Sequence, residues 1–405
     1  MFRTKVTRTF TLAGFAPAGK PGYASRQERF CSIDQNRREC RTRSTRPRQG
    51  TGLLWLACAV AAIGTAPAQA QTATSGSSTV KIMTQNIDEG TGEGYIVEAL
   101  FGQMPLPQAV DLTYAELHAS HLQERARLIA GQIAAQKPDI VVLQEVALWR
   151  TGPDTQHAFK PIYDQLKYFL ADLNSLGTPY VVAGINTVDD IALAGNQIGA
   201  LRLTESNVLL ARAAYSWPPL IFSDVQSHIF STVLDIGGLQ VPSGWISAVV
   251  HVGNQKFLLA AVHLESTVPG YPPATDVQVA QAKELIRTLS NATLPVVLCG
   301  DFNSDANDNP AAPDFTPTAD MIQAAGYTEV WKLLHNGDTG DTWPLYEDDQ
   351  IPISFPAETP VERIDLFFTL GISALTADQV ISPAPAGFSP PFGSDHVGVV
   401  ATFAP

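Results

Sequence analysis

Cysteine is scarce. Of the four in 405 residues, three lie within the first 58 positions and only Cys299 stands beyond them. Residues 71–405 therefore hold no pair that could close an intrachain disulfide. Cys299 sits inside the apolar stretch "VVLCGD" and reads as packing rather than as a nucleophile. Basic residues are also few. Twelve of the 26 Lys and Arg, but only three of the 39 Asp and Glu, fall in residues 1–70. Residues 71–405 thus carry 14 basic against 36 acidic side chains, a net charge of −22. Such a body offers no electrostatic track for a long phosphate backbone, although a bound divalent cation can dominate the field of one site. No G-x-S-x-G occurs, which removes the anchor of a serine-hydrolase reading, and no internal repeat is visible.

Long hydrophobic runs are missing too. The longest, in "RPRQGTGLLWLACAVAAIGTAPAQAQ", covers residues 53–63 and is too short to span a bilayer. It follows Arg46 and Arg48 and ends in Ala68-Gln69-Ala70, a small-x-small cleavage pattern. We expect a signal peptide over about 46–70 cut after Ala70, a polar linker at 71–79, and a secreted or periplasmic catalytic domain over 80–405.

The remaining chain alternates strand and helix signals. Strands are predicted at 80–87, 138–146, 180–184, 206–212, 245–250, 256–263, 296–303, 364–369 and 397–403. Helices are predicted at 121–136, 159–173 and 276–290, where apolar residues recur at helical spacing. Segments 90–118, 186–200 and 305–318, rich in Gly, Pro, Asn and Asp, read as loops around a site. Strands alternating with helices and then with loops imply a mixed-sheet α/β layer protein. Within 305–310, "DANDNP" alternates like a calcium loop. Pro310 and Thr316 occupy the positions where that loop needs Gly and Glu, so the motif is rejected. Tyr215, Trp217 and Phe222 could form an apolar lip, though packing is the plainer reading.

Several predicted strands end alike, in an apolar run followed by acids, amides or histidines. Asn86 follows "KIMTQ", Glu145 follows "IVVLQ", and His263 follows "FLLAAV". Asp301 and Asn303 follow "VVLCG", where strand alternation would place both on one face. Asp365 lies in "ERIDLFF", and Asp395 and His396 precede the last strand. Any one alone is more simply a turn former. Together they supply oxygen ligands for a hard cation in Glu145 and Asn86. They also supply a carboxylate for water in Asp301 and donors for a charged transition state in His396 and Asn303. Asp365 and Glu205 are available to orient His396 and His263. Asp88 and Glu89, just after Asn86, read as solvated loop acids.

The ordered set "TQN", "LQEV", "HLES", "GDFNSD", "RIDLFF" and "SDH" resembles the endonuclease/exonuclease/phosphatase superfamily over nearly all of 80–403. The resemblance implies a four-layer α/β-sandwich, two mixed sheets face to face with helices outside and the site at one end. It implies metal binding by Glu145, Asn86 and Asp395, and handling of water and phosphate by Asp301 and Asn303. By the same resemblance His396 is the catalytic histidine oriented by Asp365, and His263 a second histidine paired with Glu205. "GDTWP" at 340–344 also resembles the family's approach to the "RIDLFF" strand. The implied activity is phosphoester hydrolysis with Mg²⁺ or Mn²⁺, with Ca²⁺ as an alternative, on a diester rather than a monoester. The substrate is left open among nucleic acid, phospholipid and a small phosphoester. No stable protein partner is implied, and a monomer is expected. An inactive binding module on the same fold is disfavoured because every polar position is filled.

Overall fold

The computed structural model describes residues 79–405, apart from 93, 214–219, 269–270, 312–314 and 351. The signal-peptide reading and all but the last linker residue lie outside the described residues, as do Tyr215 and Trp217. The described fold falls within one compact unit, Gly76–Pro405.

The chain begins with β1 (Val80–Asn86), then α1 (Gly94–Leu100), α2 (Leu106–Ala119) and α3 (Leu122–Gln136). β2 (Ile140–Gly152), β3 (Lys160–Asp164), α4 (Gln165–Ser175), β4 (Tyr180–Ala194) and β5 (Ala200–Arg212) complete the first half. The second half opens with β6 (Leu220–Ile229), a small hairpin of β7 (Leu234–Ile236) and β8 (Leu239–Val241), then β9 (Gly244–Val252) and β10 (Gln255–His263). α5 (Pro272–Leu289), β11 (Val296–Asp301), α6 (Thr318–Ala324), β12 (Thr328–Glu329) and α7 (Val330–Leu334) follow. The chain closes with β13 (Asp349–Gln350), β14 (Ile353–Ser354), β15 (Asp365–Leu370), β16 (Ser373–Val380) and β17 (Gly398–Ala404).

Two mixed sheets result. One runs β16-β17-β1-β2-β5-β4, with β3 added to β2, and the other runs β12-β15-β11-β10-β9-β6. Each has one parallel pair among antiparallel ones: β1 with β2, and β10 with β11. Their facing sides share a core that includes Ile82, Val142, Leu209, Ala248, Leu259, Val297, Phe367 and Val399. Ile129, Ile133 and Phe169 of α3 and α4 cover the outer side of the first sheet. Leu285 and Leu289 of α5, with Ile322 of α6, cover the second. This is the expected α/β-sandwich. Strands buried on both sides explain the continuous apolar runs "IVVL" and "VVLC".

Three loop and helix readings are corrected. Segment 90–118 is largely helical. Pro107 in the first turn of α2 starts the helix instead of breaking it, and Val110, Thr113 and Leu117 form its buried face. Segment 186–200 is mostly strand. β4 and β5 continue through it as a long hairpin, with bulges absorbing the irregular polar residues. In 159–173, β3 occupies the first part, and Asp164 caps α4 by accepting the Lys167 amide at 3.1 Å. Phe222 lies on β6 and packs against the inter-sheet core.

Extended β2, β4 and β5 carry α2, whose Val110 and Leu117 pack with Trp149, Leu201 and Leu203. This excursion leaves and rejoins the framework at one place. The α-carbon of Gly90 faces the side chains of Leu117 and Leu122 so closely that a Cβ there would stand 2.9 Å from both.

Candidate active site

Register assembles one side of the site. His263 pairs with Asp301 across the parallel β10–β11 ladder, and Asp301 pairs with Asp365 across the antiparallel β11–β15 ladder. Three chemistry-bearing residues therefore stand at the same level on three adjacent strands. Gly300 makes this possible. Its φ is +142°, and a Cβ would stand 1.9 Å from the Val262 carbonyl oxygen, so only glycine fits.

The other sheet supplies Asn86 and Glu145. Asn86 closes β1 and is buried. Its Nδ2 donates to Glu145 Oε1 at 2.7 Å and to Asp301 Oδ2 at 3.0 Å, linking the two sheets. Glu145 lies in a bulge of β2, between Leu143 and Val146, with φ of +56°. Such a conformation is rare for a residue with a side chain and re-aims the carboxylate out of the ladder alternation. Gly-free "LQEV" gives no hint of it.

The two histidines converge on one oxygen. His263 Nε2 and His396 Nε2 each lie 3.8 Å from Asp301 Oδ2. Each imidazole has a carboxylate on its far side. His396 Nδ1 is 2.8 Å from Asp365 Oδ2, and His263 Nδ1 is 3.6 Å from Glu205 Oε1. The second contact is an ion pair longer than a hydrogen bond. Burial opposes charge on both rings. The surrounding carboxylates prevail and push His263 up to about 9 and His396 well above its ordinary value. Burial pushes Glu145 up to about 8, against the pull of His263, and Asp395 up to about 6, against that of His396.

Two expectations are refined. β11 ends at Asp301, and Asn303 has φ of +49°, so strand alternation does not align the two. A turn does: the Asn303 amide donates to Asp301 Oδ1 at 2.8 Å, while its side-chain Nδ2 donates to the Leu264 carbonyl at 2.9 Å. Asp395 stands at the Nε2 edge of His396, with Oδ2 3.9 Å from Nε2, and accepts from Trp343 Nε1 at 2.8 Å.

Asp88 and Glu89 are buried, not solvated. Asp88 Oδ2 lies 2.7 Å from Arg125 Nη2 and accepts from the Tyr346 hydroxyl. Arg125 also donates to the carbonyls of Ile87 and Gly393 at 3.1 and 3.0 Å, tying the loop after β1 to the loop that carries His396. Its position on the Leu122–Ala126–Ile129 face of α3 was the available signal, since an arginine on a buried face needs a partner. Trp343 and Ser394 were also missed. Ser394 Oγ donates to the Asn86 carbonyl at 2.8 Å and accepts the His396 amide at 3.0 Å. The other six histidines join no cluster of possible ligands among the described residues. The acids of "DANDNP" are used locally, Asp305 Oδ1 accepting the Arg363 and Asn307 amides.

Glu145, His263 and Asp301 each present one ligand atom, all within 4.8 Å of one another, as do Asp301, Asp365 and His396. The second set is already committed by the Asp365–His396 hydrogen bond. In the first, the carboxylates of Glu145 and Asp301, bridged by the Asn86 side chain, fit a metal ion.

The model of the Endonuclease/Exonuclease/phosphatase family matches residues 83–396. The chain belongs to that family. An endonuclease/exonuclease/phosphatase from Beutenbergia cavernae DSM 12333 has a similar structure, with a TM-score of 0.51 at 21% identity over 81% of this chain and 72% of that one. A family protein from Leptotrichia buccalis C-1013-b gives 0.50 at 14% identity over 80% and 99%. D. rerio TDP2 complexed with a single-strand DNA product gives 0.48 at 15% identity over 80% and 98%. No curated protein sequence matches the chain.

Proposed function

We propose that the chain is a divalent-metal-dependent phosphoester hydrolase, acting on a phosphodiester and exported by its 46–70 segment. The observation that carries this reading is the convergence of two histidine Nε2 atoms on Asp301 Oδ2, 3.8 Å from each. Asp301 holds a water and takes its proton as the water attacks phosphorus. His396 and His263 donate to the phosphoryl oxygens as they gain charge. Asp365 fixes the His396 tautomer, so Nε2 carries the proton that faces the phosphate. Glu145 and Asn86 would hold the metal, Mg²⁺ or Mn²⁺, which neutralises phosphoryl charge when bound. Asp395 fits a supporting ligand or a partner of His396.

The acidic surface favours a small phosphoester or a lipid headgroup over a long nucleic acid. Purified residues 71–405 should hydrolyse bis(p-nitrophenyl) phosphate with Mg²⁺ or Mn²⁺, lose activity in EDTA, and lose it in His396→Ala. Supercoiled-plasmid nicking, sphingomyelin cleavage and release of phosphate from small monoesters then separate the substrate classes. Absence of metal-dependent turnover on all of them would overturn the assignment.

A further inference from the structure

Behind the Asp365–His396 pair is a small cavity of about 10 Å³, lined among others by Glu329, Trp331, Gly340, Arg363, Asp365 and Phe367. Three polar atoms of these walls are buried and bond to no protein group: Asp365 Oδ1, Arg363 Nε and Trp331 Nε1. The parent residues are 2%, 1% and 7% exposed. The set is complementary, two N–H donors and one carboxylate acceptor.

The Thr342 hydroxyl, which accepts the Ile364 and Asp365 amides at 3.1 and 3.2 Å, also stands beside the Asp365 carboxyl, and the remaining polar groups around the cavity are engaged elsewhere. Glu329 is occupied, accepting from Arg363 Nη1 and the Trp331 amide at 3.0 Å and from the Lys332 amide at 2.7 Å. Arg363 Nη2 donates to Asn307 Oδ1 at 2.9 Å, so the guanidinium is held at both terminal nitrogens. Gly340 lies against the indole, where a Cβ would be 2.2 Å from Trp331 Nε1, so no side chain reaches that nitrogen from this direction.

Buried donors and acceptors are nearly always paired, and a cavity of about 10 to 15 Å³ takes one water. We propose that this cavity holds one ordered water, accepting from Arg363 Nε and Trp331 Nε1 and donating to Asp365 Oδ1. Arg363 and Trp331 are thereby positioning residues. The water stops rotation of the Asp365 carboxylate about its own bond, which keeps Oδ2 on His396 Nδ1 and Nε2 directed at Asp301. A chain runs from Glu329 through Arg363, water and Asp365 to the imidazole, with every member satisfied.

The first test is a high-resolution crystal structure of the unaltered protein. Density within hydrogen-bonding distance of all three atoms is expected. A cavity without density, or a water that does not reach Asp365 Oδ1, overturns the proposal whatever the activity. The second test is Trp331→Phe, which keeps the ring and deletes one donor. The low-field Nδ1 proton of His396 should move in the NMR spectrum, while Leu333→Ala, exposed on the same helix, should leave it in place. On the hydrolase reading, kcat should also fall roughly tenfold at unchanged KM, the size of one hydrogen bond to a charged group. An unmoved proton with unaltered kcat overturns the proposal. Should no hydrolase activity be found, the density and the proton signal still decide it.

Discussion

His396 Nδ1 and Asp365 Oδ2 are 2.8 Å apart, and both residues are almost wholly buried. A carboxylate so placed leaves the imidazole one tautomer and one orientation, with Nε2 as the outward donor. Asp365→Asn preserves shape but offers a donor or a neutral acceptor in its place. Turnover of a chromogenic phosphodiester should drop by about 10³-fold or more, as for a histidine held in the wrong tautomer. His396→Ala should lose as much. Circular dichroism of both should show the fold intact at the assay temperature.

Glu145 is pushed up to about 8 by burial, against the lowering influence of His263. Without metal its carboxyl is therefore mostly protonated at pH 7, whereas a metal ion needs the carboxylate. Binding of Mg²⁺ or Mn²⁺ should expel a proton, and affinity should rise with pH up to about 8. Calorimetric titrations in two buffers of different ionisation enthalpy measure the release directly. Heats that do not depend on the buffer would contradict it.

Gly300→Ala is expected to be among the most damaging single substitutions outside the polar residues. The new methyl would overlap the Val262 carbonyl, and φ of +142° suits only glycine. Parting β10 from β11 would misplace His263 relative to Asp301. A loss of about 4 kcal/mol or more in denaturant unfolding is the expected scale.

Glu116 of α2 is 1% exposed and is pushed up to about 7, first by burial and then by Asp88, against the Gly92 amide. The folded protein thus holds this proton more tightly than the unfolded chain does. Stability should fall as pH rises from about 4.5 through 7, and the cost is complete above that. Glu116→Gln keeps an acceptor for the Gly92 amide. It should raise Tm at pH 8 by about 2 °C or more and change it little at pH 4.5. Equal shifts at both pH values would refute the assignment.

The fold and most of the site were legible because both rest on short local patterns. Apolar runs ending in Asn86, Glu145, His263 and Asp301 mark buried strands that stop where chemistry starts. What could not be read is set by contacts between distant segments. Asp88 looked solvated because Arg125 and Tyr346 are 37 and 258 positions away. The bulge that turns Glu145 inward leaves no glycine or proline behind. Strand alternation gave the right neighbours for the wrong reason at Asn303, where a turn does the work. Helix α2 was hidden by prolines that open it.

The α1–α2 excursion departs at Gly90 and returns at Leu122, whose side chain packs on the Gly90 α-carbon. In engineering terms the excursion is a cassette with a closed stem: its 30 or so residues could be shortened, exchanged or diversified while Asn86 and Glu145 keep their positions.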